Sequence, residues 1–88
     1  MVRLIASHRF KKHLGRFLKK HPELEADVEE KLKVLQKNPR DPRLRSHKLT
    51  GRMSNCFAIW ITYEHRIILS FKESSIFLLA IGTHDEVY

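Results

Sequence analysis

One cysteine in 88 residues, Cys56, excludes an internal disulfide and suits a reducing compartment. Beside Phe57 it reads as a small buried residue and not as a catalytic thiol. No stretch approaches the roughly 20 apolar residues of a membrane span. The opening "MVRLIASHRF" lacks the long apolar segment of a signal peptide, so a cytoplasmic location is expected. There is no CxxC, no HExxH and no close histidine pair, which argues against a metal site, and nothing points to a cofactor. Repeats and linkers are also lacking, and the length suits a single domain over residues 1–88.

Acidic residues are scarce: 10 Asp and Glu stand against 17 Lys and Arg, a net charge of +7. They are also segregated. Five of the ten lie between Glu23 and Glu30, whereas Arg40 to Lys72 holds seven Lys and Arg against Asp41 and Glu64. Segregated positive charge points to a polyanion such as nucleic acid.

"VRLIA" is a plausible first strand, and Ser7 can cap the helix after it. Phe10, Leu14, Phe17 and Leu18 recur at helical spacing, with Lys and Arg on the remaining face. A second helix is expected from about Pro22 to Lys37, with Leu24, Val28, Leu32 and Leu35 buried. Its early acids and late lysines suit the helix dipole and need no chemistry. "NPRDPRLRSH" cannot be helical and reads as a basic loop. Period-two alternation then runs through Phe57–Tyr63 and Arg66–Phe71, and "IFLLAI" is a third apolar run. The expectation is an α+β fold in the order β-α-α-β-β-β. Two helices would pack on one face of a twisted, mostly antiparallel sheet of four to five strands. If Ile67, Leu69 and Phe71 face the helices, Arg66 faces the other way, where a substrate can lie.

His8, His13 and His21 sit in or beside the basic helix and read as surface residues. His47, His65 and His84 fall at predicted strand ends or turns, close to Lys48, Arg66 and Tyr88. Histidine suits proton transfer near neutral pH. Metal-free RNA cleavage needs such groups. One removes the 2′-hydroxyl proton, a cation neutralises the phosphorane, and an acid protonates the departing 5′-oxygen. On the residues alone, catalysis and plain nucleic-acid binding stand level.

From "HKLTG" through "HRIILSF" to the closing "GTHDEVY", the chain resembles the RelE/ParE superfamily of bacterial toxins. It is most like the YafQ branch of RelE-like mRNA interferases. The marks are His47, Leu49 and Gly51 in His-x-Leu-x-Gly, an aromatic strand through Trp60, and Gly-Thr-His followed four residues later by Tyr88. The helix pair and the basic loop also fit. The resemblance implies a RelE-like toxin of a type II toxin–antitoxin system. Its activity would be ribosome-dependent, metal-independent endoribonuclease action on mRNA, held in check by a small, acidic cognate antitoxin. Carried over by position, the catalytic set is His47, His65, Arg66, His84 and Tyr88. His65 stands where YafQ-like proteins carry an acidic residue, and the second YafQ-like histidine, near Ile61, is absent. Lys11, Lys12, Arg16, Lys19, Lys20, Arg43, Arg45, Lys48 and Arg52 are expected to bind RNA and ribosome. Asp85 and Glu86 are expected to position their neighbours or face solvent.

Three other readings fit the same chain: a ParE-like gyrase inhibitor of the same fold, a non-catalytic RNA-binding module, and a degenerate toxin that folds and binds antitoxin but cuts nothing. The second would use Trp60 or Tyr63 as a stacking platform. Trp60 is expected to be a packing residue of its strand instead.

Overall fold

The computed structural model describes residues 2–51 and 55–87. Its elements are β1 (Arg3–Ala6), α1 (His8–Lys20), α2 (Glu25–Lys37), β2 (His47–Lys48), β3 (Cys56–Trp60), β4 (His65–Lys72), β5 (Ser75–Thr83) and α3 (His84–Val87). The strands form one sheet in the order β1-β5-β4-β3-β2. Only the β1–β5 pair is parallel; the others are antiparallel, so the expected α+β architecture holds with five strands.

Each element has a local cause. The Ser7 hydroxyl accepts the Phe10 N–H at 3.0 Å and starts α1. Pro22 opens a 3-10 turn, Pro22–Leu24, before α2, which therefore begins three residues later than the expected Pro22. Asp41 caps a second 3-10 turn, Pro42–Leu44, by accepting the Arg43 N–H at 2.9 Å. The β4–β5 hairpin closes through Glu73, whose φ of 57° supplies the left-handed residue that tight hairpins favour.

The core lies between the helices and one sheet face. Phe10 and Phe17 of α1 and Val28, Val34 and Leu35 of α2 meet Ile59, Ile61, Ile67 and Leu69. Leu32 only flanks this core, while Val34, outside the expected stripe, is buried in it. A bulge between Ile68 and Leu69 in the β4–β5 register lets β5 supply Ile76, Leu78 and then Ile81 to the same core. Phe71 departs from expectation. It is 42% exposed and packs edge-to-face on Phe57 at the rim, with ring centroids 5.0 Å apart. Cys56 is half-buried and is not a core residue.

Candidate active site

Period-two alternation divides the middle strands cleanly. Ile59, Ile61, Ile67 and Leu69 belong to the helix-side core, so Trp60 and Arg66 point to the open face. The register sets Trp60 directly opposite Arg66. His47 pairs with Ala58, two residues along β3 from Trp60, and shares that face.

Arg66 is only 8% exposed, yet its charge is well satisfied. Its Nη1 donates to the carbonyls of Thr62 (2.9 Å), Tyr63 (2.8 Å) and His65 (3.2 Å). The guanidinium carbon lies 4.1 Å from the centre of the Trp60 ring. Nε and Nη2 donate to none of the described residues, so one edge of the fork remains for a ligand.

A groove of about 460 Å³ opens beside it, lined by Trp60, Tyr63, Glu64, Arg66, Thr83, His84 and Asp85. His84 enters as the first residue of α3, its side chain 63% exposed and its Nδ1 3.6 Å from Asp85 Oδ1. Thr83 and Glu86 fix this short helix reciprocally. The Thr83 N–H donates to Glu86 Oε1 at 2.8 Å, and the Glu86 N–H donates to Thr83 Oγ1 at 3.3 Å. This is a capping box. Hydrogen bonds from Thr83, the backbone N–H first and the side chain second, hold the Glu86 carboxyl below its ordinary range. Gly82 permits the close turn, because a Cβ there would stand 3.1 Å from Glu86 Oε1. Glu86 thus positions its neighbours. The Thr-x-x-Glu spacing at Thr83–Glu86 is the sequence signal for it.

His65 takes the opposite direction. It is 9% exposed and packs on the helix side, with its ring centroid 5.3 Å from Phe17 and 5.0 Å from His21. Its Nδ1 lies 2.9 Å from Thr62 Oγ1. The structure therefore does not bring His65 into the groove with Arg66 and His84. The expectation that His21 is a surface residue is corrected: it is half-buried in this ring cluster, because the end of α1 turns it back onto β4.

Of the expected binding cations, Lys11, Lys12, Arg16, Lys19 and Lys20 are exposed on α1, and Arg45 and Lys48 near the β2 edge. Arg43 is engaged locally: its Nη2 lies 2.9 Å from Asp41 Oδ2, and that pairing holds the Asp41 carboxyl at about 2. His47 is exposed, its Nδ1 3.5 Å from the Arg45 carbonyl, and it does not line the groove. Arg52 and Tyr88 lie outside the described residues. Among the described residues no group of three or more His, Cys, Asp or Glu is arranged to hold a metal ion. No helix among them is long and apolar enough to cross a membrane.

No curated protein matches the chain. Solved structures do. YafQ from E. coli strain BL21(DE3) superposes with a TM-score of 0.83 at 13% identity, covering 100% of this chain and 99% of that one. A copper-bound mutant toxin from Helicobacter pylori gives 0.80 at 24% identity over 100% of both chains. The E. coli DinJ–YafQ toxin–antitoxin complex gives 0.81 at 14% identity, with 100% and 99% covered. These likenesses establish the RelE-like toxin fold. In sequence, residues 2–88 match the model of the family described as the bacterial toxin of type II toxin–antitoxin system, YafQ. With nearly the whole chain matched, this protein belongs to the YafQ family of type II toxin–antitoxin toxins.

Proposed function

We propose that this toxin is a ribosome-dependent, metal-independent mRNA endoribonuclease. The observation that carries the reading is the meeting of Arg66 and His84 in one groove on the open sheet face. The substrate supplies its own nucleophile, the ribose 2′-hydroxyl. His47, an exposed imidazole on the same face, takes the proton from that hydroxyl. The free edge of the Arg66 fork neutralises the phosphorane. His84 protonates the departing 5′-oxygen, and Tyr88 stacks on a base or orients the phosphate. His65 stands on the other side of the sheet and serves the packing beneath the site.

The cations of α1, with Lys48 of β2, hold ribosomal RNA phosphates. A cognate antitoxin, acidic and in part ordered only on binding, covers the basic surface. The DinJ–YafQ complex gives a precedent for such a partner.

Mapping transcript ends after induction in cells tests this reading. In-frame cuts in translated messages are expected, with 5′-hydroxyl ends and 2′,3′-cyclic or 3′-phosphate ends. Ends carrying 5′-phosphates, or altered DNA supercoiling without cuts, would refute it; the latter outcome belongs to a gyrase inhibitor of the same fold.

A further inference from the structure

Trp60 is not part of the hydrophobic core, although it stands in a core-forming strand. What covers its ring is charge. The Arg66 guanidinium lies 4.1 Å from the ring centre and that of Arg45 lies 4.7 Å from it. Tyr63 closes a further side edge-on, with centroids 5.8 Å apart. The registers explain the convergence. Arg66 is the direct cross-strand partner of Trp60. The β2–β3 pairing of His47 with Ala58, continued by two residues, brings Arg45 opposite Trp60 on the other flank. Arg45 reaches it from a left-handed backbone, φ 46°, at the end of the 3-10 turn before β2.

Two guanidinium groups held within reach of one ring would repel each other in a less structured setting. Here an indole, the most effective ring for cation–π contact, faces both. The carbonyls of Thr62, Tyr63 and His65 absorb part of the Arg66 charge. Arginine, unlike lysine, keeps a planar donor edge free while its face is stacked. The ring lies within cation–π reach of both forks.

We propose that Trp60 is the positioning residue of this site: its ring fixes Arg66 and Arg45 as a paired receptor for the phosphodiester backbone of single-stranded RNA. The inference rests on the proposed nuclease function and adds a role to a residue that touches no reacting atom. Arg66 meets the scissile phosphate, and Arg45 meets a neighbouring phosphate of the same strand.

The experiment compares Trp60→Leu and Trp60→Phe with the parent in single-turnover cleavage on programmed ribosomes. It also records the Arg66 and Arg45 Nε–H signals of each free protein by ¹⁵N NMR. Misplacing a catalytic group by about 1 Å costs about 10²-fold in rate. Trp60→Leu should lose that order of magnitude in maximal rate with its half-saturating ribosome concentration little changed. Trp60→Phe, which keeps an aromatic face, should recover most of the loss. In the parent, both Nε–H signals should be displaced by the ring current; in Trp60→Leu both should move to ordinary arginine positions. A Trp60→Leu protein that cuts at the parental rate would overturn the proposal, as would undisplaced arginine signals in the parent. If Trp60→Leu fails to fold, the parental spectrum and Trp60→Phe decide the question. If the parent itself cuts nothing on ribosomes, the nuclease reading falls. Titration with an RNA oligonucleotide then decides the receptor, which requires both Nε–H signals to shift together.

Discussion

His65 and Arg66 are adjacent in sequence and almost equally buried, at 9% and 8% exposure, yet they live in different chemical settings. His65 points under the sheet, where Phe17 and His21 pack on its ring. Arg66 points above it, where its charge meets carbonyl oxygens and an indole beside an open groove. The strand's two-residue period separates a packing histidine from a cation available to a ligand. Burial alone therefore says little about function; what the buried group faces decides it.

Substitutions on the upper side should act on chemistry. His84→Ala should lower the single-turnover cleavage rate by about 10²–10⁴-fold, as loss of a general acid does. Arg66→Ala should forfeit about 3–4 kcal/mol of transition-state stabilisation, with ribosome binding largely kept. Loss of ribosome affinity in step with rate would break the contrast. Substitutions on the lower side should act on folding. Phe17→Ala should destabilise the protein by about 3–5 kcal/mol, and His65→Ala by about 1–3 kcal/mol through removal of its polar partner and ring packing. Chemical denaturation measures both. A His65→Ala protein of parental stability that cannot cut would move His65 to the catalytic side.

Smaller effects sharpen the comparison further. Charge reversal at Lys12 and Lys19 together should weaken ribosome association equally for all messages. It should also reduce the steepness of its salt dependence by about one unit for each phosphate no longer neutralised. Smallest is the cap of α3. Thr83→Ala should cost about 0.5–2 kcal/mol locally. Glu86 has a lowered pKa in the folded protein, so its contribution is present above the ordinary carboxylate range. It is lost as the pH falls through the depressed value. NMR shifts of His84 and Asp85 followed to acid pH should report fraying of α3 while the core stays intact.

Much of this is legible in the chain. Helical spacing from Phe10 to Leu18, the Ser7 cap and the alternation around Ile67 predict the two layers and the outward direction of Arg66. These signals are local, and local periods survive folding. The partners of Trp60 are not local. Arg45 reaches it through strand register, which no spacing in the sequence encodes, so the chain alone suggests a packing role or a base-stacking platform, not a seat for two arginines. His21 escapes prediction for a similar reason: its exposure depends on how the end of α1 turns towards β4. Phe71 sits at the rim, packed on Phe57, which the alternation of β4 alone does not reveal. The Thr83–Glu86 box, by contrast, is written in the sequence as a capping pattern.

The parallel pairing of β1 with β5 has a consequence for the order of events in the cell. Arg3 lies beside Ser75, so β1 leaves the ribosome long before the strand that becomes its neighbour. Closing so long a loop is slow, and a half-made chain gains nothing from attempting it early. The strand that completes the sheet is also the one that leads into His84. The β1–β5 pair therefore forms late, and the sheet and the groove that holds Arg66 and His84 are completed together once β5 has been made. On the proposed function, cleavage can begin only after that late event.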